Sequence, residues 1–149
     1  MTSIRPAEPA DVSTIWRMIL DLAEFEKLRD QVKGSEEELH QSLFSEKPVC
    51  HAVVAVSDGQ TVGYALYFYN YSTFLTRKGL YLEDLYVAPE VRGQGIGKLL
   101  LNHIIELARD GGCKRVDWSV LDWNQNAIDF YESMGARVMP DWRTCRIEL

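Results

Sequence analysis

The stretch Arg92-Gly93-Gln94-Gly95-Ile96-Gly97 constrains this chain more than any other. It follows an apolar run, Leu80 to Val87, closed by Ala88-Pro89, and it opens a helical repeat, Ile96, Leu99, Leu100, Ile104, Leu107 and Ala108. Glycine tolerates positive φ and lets the main chain approach a ligand. Free N–H groups at a helix start, reinforced by the helix dipole, favour an anion. A pyrophosphate is the expected occupant, with Arg92 or Lys98 at its rim. A Walker A loop, GxxxxGK[ST], fails twice here. Arg92 stands where the first glycine belongs, and Leu99 follows Lys98. The dinucleotide fingerprint GxGxxG also fails, because the glycines fall at 93, 95 and 97 and follow a late strand rather than the first. A turn serving the fold alone is the plainer alternative. It is disfavoured because three alternate glycines beside an arginine are costly to keep unless main chain must come close to something.

The rest of the chain reads as strands that first meander and then alternate with helices. Ile4 to Ala7 predicts a first strand. Asp11 is a candidate cap for a helix with Val12, Ile15, Trp16, Ile19, Leu22 and Ala23 on one face. Ser35 and Glu38 form a capping-box pattern ahead of a short helix through Leu43-Phe44. His51 to Val56 and Thr61 to Tyr69 predict a hairpin turned by Asp58-Gly59. Tyr71 to Lys78 reads as a loop, Val116 to Leu121 as a strand, and Asn124 to Met134 as a helix stopped by Gly135. Val138 to Leu149 reads as the last strand or strands. The order β-α-α-β-β-β-α-β-α-β implies a mixed sheet covered by helices, an α/β (or α+β) fold. A ligand at the carboxyl end of the mid-chain strand is the natural expectation.

Composition narrows the function. The 149 residues carry 16 basic and 22 acidic side chains, a net charge of −6. Such a chain suits one domain, residues 1–149. The pI near 5.1 argues against nucleic acid as the main partner and is compatible with a cationic substrate. No apolar run of about 18 residues is present, so no membrane helix is expected. The N-terminus lacks an apolar signal core, and the expected location is cytoplasmic. Cys50, Cys113 and Cys145 form no CxxC pair and read as reduced, mostly buried thiols. His40, His51 and His103 join no ligand cluster, so no metal is expected.

With these residues in view, the chain resembles the Gcn5-related N-acetyltransferase (GNAT) superfamily along essentially its whole length. Leu85-Tyr86-Val87 is similar to that family's splayed strand. Arg92 to Lys98 is similar to its coenzyme A pyrophosphate loop, [RQ]GxG[IA]G. Asn124 to Gly135 is similar to its NxxAxxxYxxxG helix. Within the superfamily the chain looks most like the diamine acetyltransferases acting on spermidine, spermine or thialysine. Ala23-Glu24-Phe25-Glu26, Gln31-Val32, Tyr81-Leu82-Glu83-Asp84 and Trp123-Asn124 carry that likeness. The resemblance implies a single-domain, mostly antiparallel sheet with helices on both faces and a splay between strands 4 and 5.

It also implies acetyl-CoA as co-substrate and direct attack by a neutral amine. The coenzyme would be held by Leu85, Tyr86, Val87, Arg92, Gly93, Gln94, Gly95, Ile96, Gly97 and Lys98, with Asn124 and Ala127. Tyr131 is the expected acid toward the leaving thiolate, since a phenol is protonated at neutral pH. Glu83 is the expected base, directly or through water. Alternation along a strand puts Glu83 and Asp84 on opposite faces unless a bulge intervenes. Phe25, Glu26, Glu83, Asp84 and the Asp117-Trp118-Ser119 stretch would line the amine channel, with Glu26 and Asp117 at the far cationic end of a diamine. Phe25 and Arg29 depart from the tyrosine and carboxylate usual in animal diamine acetyltransferases. Thialysine, another small diamine or an unrelated primary amine therefore stay open beside polyamines. A homodimer is the implied assembly, which would explain an aromatic-rich edge such as Tyr64 to Tyr71. The competing functions are a non-catalytic acyl-CoA sensor and a protein or peptide N-acetyltransferase.

Overall fold

The computed structural model describes residues 1–149, in two compact units, 1–119 and 120–149. In the first, β1 (Thr2–Pro6), α1 (Val12–Phe25), α2 (Glu36–Phe44), β2 (His51–Ser57), β3 (Gln60–Ser72), β4 (Arg77–Val87), α3 (Ile96–Asp110) and β5 (Val116–Asp117) follow in sequence. The sheet order is β1-β2-β3-β4-β5, antiparallel until β5 joins β4 in parallel.

Each strand side meets a different helix layer. On one side Ala52, Val54, Tyr64, Leu66 and Tyr86 pack with Ile15 and Met18 of α1 and Leu43 of α2. Toward the other side lies α3, whose Leu100, Leu101 and Ile104 are fully buried. Gly63 permits that approach, because a Cβ there would meet Tyr86 O at 2.6 Å and Leu100 Cδ1 at 3.3 Å. The hairpin signal at Asp58-Gly59 is realised. Both residues have positive φ (51° and 77°), and Ser57 pairs with Gln60 across a two-residue turn.

Four expectations change. Tyr71 to Lys78 is not a loop. Tyr71 pairs with Lys78 and Ser72 with Arg77, so only residues 73–76 turn the chain. The strand expected from Val116 to Leu121 is two residues long, Val116–Asp117. Residues 138–149 form no strand. Within residues 120–149 the regular element is α4 (Gln125–Ser133), so an extended tail has no strand there to complete its ladder. Cys50 and Cys113 are half-buried, but Cys145 is exposed.

Asp11 stands at the N-cap of α1 yet makes no side-chain cap bond. Its carboxylate instead accepts from Arg5 Nη1 at 2.7 Å, Arg5 Nη2 at 3.0 Å and the Glu8 N–H at 2.7 Å. Arg5's hydrogen bonds are the main reason the Asp11 carboxyl is held below its ordinary range. The sign follows: this stabilisation is present above the unfolded carboxylate pKa and is lost as pH falls through the lower native value. Asp11→Asn should therefore destabilise the chain by about 1.5–3 kcal/mol at neutral pH, as measured by urea unfolding, and narrow the gap from wild type in acid.

Candidate active site

β4 positions the site. Its register against β3 shifts between Leu66 and Tyr67: Asp84 faces Leu66, Leu82 faces Tyr67, and Glu83 is the extra residue. This bulge is the condition under which simple alternation fails. Glu83 is exposed and acts electrostatically on both Asp84 and the Cys50 thiol. Cys50 packs against the α1/α2 core cluster, the same side as Tyr86. Asp84, paired with Leu66 of that cluster, lies on this side of the sheet, and Glu83 acts on it from the bulge.

Asp84 is partly buried, and burial pushes its carboxyl above the ordinary carboxylate range. The hydrogen bond from Tyr64 pulls in the other direction, and Glu83 adds to the rise. Glu26, the C-cap of α1, is also pushed up, first by burial and then by Asp84. The structure thus brings Glu26, Glu83 and Asp84 together. Phe25 is half exposed beside them, its ring under the Arg92 guanidinium at 5.6 Å. Asp117 is engaged elsewhere, in an ion pair with Arg115 whose Nε lies 3.1 Å from Asp117 Oδ2. Ser119 Oγ lies 2.9 Å from the Tyr81 hydroxyl, and Trp118 precedes it just beyond β5.

Beyond the bulge, β4 runs past the end of its neighbour. The β4–β5 ladder consists of Leu80↔Val116 and Tyr81↔Asp117, which leaves Leu85 to Val87 beyond β5. The β5 ladder thus stops short of the stretch where the splay is expected. After Pro89–Val91, Arg92 folds back and donates from Nε to the Val87 carbonyl at 2.9 Å, with its guanidinium also 5.6 Å from the Tyr86 ring. Arg92 is thereby fixed at the strand end rather than extended from the turn. Gly93 and Gly95 have φ of 82° and 81°, whereas Gly97 lies in the first turn of α3 without positive φ. The first intrahelical bond is Leu99 N to Gly95 O at 3.1 Å. The N–H groups of Ile96, Gly97 and Lys98 precede it and point out of the helix start. Ile96 buries its side chain, so it can offer only main chain, while Gln94 and Lys98 are exposed.

In the second unit Asn124 caps α4, its Oδ1 accepting from Ala127 N at 3.3 Å. Tyr131 lies half-buried on the stripe that includes Ala127, Ile128 and Met134, its ring 5.5 Å from Phe130.

Sequence reasoning missed Tyr64. Its hydroxyl donates to Asp84 Oδ2 at 2.8 Å from a fully buried position. A tyrosine in the middle of a buried strand needs a hydrogen-bond partner, and that signal was available. A cavity of about 190 Å³ bounded by Leu43, Phe44, His51, Tyr67, His103 and Leu107 contains neither β4 carboxylate. Chemistry, not concavity, marks the site.

A strand that outruns its neighbour's ladder, a glycine turn opening a helix, and carboxylates at the adjoining bulge are features an acyltransferase site requires. The acetyltransferase (GNAT) family model matches residues 16–136, and the chain belongs to that family. It is 46% identical to thialysine N-epsilon-acetyltransferase of Sus scrofa, over 97% of this chain and 91% of that protein. It is 32% identical to L-ornithine N5-acetyltransferase of Arabidopsis thaliana, over 97% and 83% respectively. An integron cassette protein from the mobile metagenome of V. cholerae superposes with a TM-score of 0.80 at 26% identity, over 99% of this chain and 92% of that one. The chain is an N-acetyltransferase.

Replacing Gly95 by alanine forces a side chain into left-handed backbone, at a cost of about 1–2 kcal/mol. Gly95→Ala should lower the melting temperature and weaken coenzyme A binding by calorimetry, whereas Gly34→Ala, at a glycine without positive φ, should do neither.

Proposed function

We propose that this chain transfers acetyl from acetyl-CoA to the terminal amine of a small diamino compound of the thialysine or ornithine class, by direct attack. The observation that carries this reading is the β4 bulge, which groups Glu83 and Asp84 with Glu26 beside a strand end with spare donors. The relatives' activities on thialysine and L-ornithine support it.

Acetyl-CoA supplies an activated thioester. The N–H groups of Ile96, Gly97 and Lys98, with the turn Gly93-Gln94-Gly95, suit its diphosphate. Main-chain N–H groups of Leu85 to Val87 are the donors for the carbonyl oxygen as it gains charge. In other enzymes such a donor is worth roughly 3–4 kcal/mol. Glu83, exposed at the bulge, takes the amine proton directly or through water. The amine nitrogen bonds to the acetyl carbon, the C–S bond breaks, and Tyr131 gives its proton to the departing sulfur. Asn124 and Ala127 are assigned to the coenzyme. Phe25, Trp118 and Ser119 are assigned to the amine channel. Glu26 and Asp84 take the far cation, with Asp117 in a lesser role because Arg115 already compensates it.

Residues 1–149 are assigned to one catalytic domain, supported by a family match that crosses the boundary between the two units. A cytoplasmic homodimer completes the reading. Tyr64 and Tyr67 are buried in the central strand β3 and cannot form an aromatic edge; the support is the exposed Tyr69, Tyr71 and Phe74 on the β3–β4 hairpin, and sedimentation tests it.

Thiol release from acetyl-CoA with thialysine, ornithine, spermidine, a monoamine and a lysyl peptide tests the substrate class. Turnover should be highest with thialysine or ornithine. Coenzyme binding without turnover on any amine would support the sensor instead, and preference for the peptide would support a protein acetyltransferase. Tyr131→Phe should lower kcat about 10²-fold or more with coenzyme affinity retained. Glu83→Gln should alter the pH–rate profile; an unaltered profile removes Glu83 as base.

A further inference from the structure

We propose that Tyr64 is a positioning residue for amine recognition: its buried hydroxyl, donated to Asp84 Oδ2 at 2.8 Å, holds that carboxylate charged and oriented for the cationic end of the substrate. The inference rests on the reading that Asp84 meets that cation, and it adds the residue that makes Asp84 able to do so.

Tyr64 is fully buried in β3, across the ladder from Tyr86, with the two ring centroids 6.1 Å apart. A phenol in so dry a position requires an acceptor, and Asp84 supplies it. Asp84 and Tyr86 are two residues apart on β4, so the hydroxyl of Tyr64 reaches diagonally to the carboxylate.

The groups around Asp84 make this bond consequential. Burial favours the protonated carboxyl, and Glu83 on the same strand favours it further. Glu26 at the end of α1 and Asp84 repel one another as carboxylates. Arg92 lies over Tyr86, and Arg17 and Asp21 of α1 also act on the Tyr86 phenol. Against burial and the neighbouring negative charge, the Tyr64 hydrogen bond favours the charged form of Asp84.

The choice of a phenol follows from what the site must attract. A lysine or arginine at position 64 would also hold Asp84 charged, but it would cancel that charge and compete with the substrate. A neutral donor orients the carboxylate and leaves its full charge available. Burial and the nearby Asp84 push the Tyr64 phenol well above its ordinary range, so it stays a donor at every working pH.

The test is a double-mutant cycle of Tyr64→Phe and Asp84→Asn, read with thialysine and with a monoamine of the same length. Tyr64→Phe should lower the preference in kcat/KM for thialysine over the monoamine about tenfold, as expected for losing a hydrogen bond to a charged group. The acid limb of its kcat/KM profile should move up by about one pH unit, because the unassisted carboxyl ionises later. In the Asp84→Asn background the same substitution should produce neither change. If Asp84→Asn alters preference and profile while Tyr64→Phe alters neither, the role of Tyr64 is overturned and the amine assignment stands. If neither variant alters them, both readings fall. Should Tyr64→Phe not fold, the Tyr64 hydroxyl proton in the wild-type chain provides the measurement. Its NMR shift should follow the titration of Asp84, and a shift that ignores that titration overturns the proposal.

Discussion

The pairing of β4 with β3 is the constraint on which the first unit depends. It runs from Gly63↔Val87 to Ser72↔Arg77 and contains one interruption, at Glu83. A ladder of this length fixes β4 so firmly that the single extra residue must be absorbed locally, as a bulge. That bulge gathers two carboxylates that a regular strand would separate. The same rigidity carries Val87 to a defined end, where Arg92 ties the glycine turn back to the strand carbonyl. Carboxylates and turn thus lie on one short piece of chain, separated by a few residues of strand.

That arrangement divides the chemistry by type of group. On the proposed reading, the anion-binding part would use main-chain donors and helix-start geometry, so its sequence requirement is for glycine rather than for charge. The amine-binding part would use carboxylates, of which Glu26 and Asp84 are pushed up in pKa by burial. Asp84 pushes the Glu26 pKa up, and Glu83 does the same to Asp84, so a cation bound among them would relieve repulsion. On that reading, such an acidic cluster would favour a doubly cationic substrate over a singly charged one.

Much of this was legible in the sequence, for identifiable reasons. Asp58-Gly59, Ser35 with Glu38, and Gly95 announced themselves because each satisfies a local backbone requirement. The hairpin, the start of α2 and the start of α3 all follow from such requirements. The bulge did not, because pairing register is a property of two strands, and the run from Tyr81 to Asp84 reads the same with or without it. Asp11 looked like a cap because caps are local, yet Arg5, six residues away, reached it first. The strand expected over residues 138–149 does not form for a related reason: a segment's own residues do not show that a partner strand is at hand. Tyr64 reads in sequence as part of an aromatic edge, because which strand becomes central is a property of the whole sheet; in β3, between β2 and β4, its hydroxyl is buried and needs a partner.

On the proposed reading, the main-chain amides between Arg92 and Lys98 grip the coenzyme diphosphate. Amide NMR of the labelled chain during a coenzyme A titration probes that grip residue by residue. Large, saturable shifts are expected at Gly93 to Lys98, with smaller ones at Leu85 to Val87. Saturable binding that leaves those amides unmoved, or no binding at all, would contradict it.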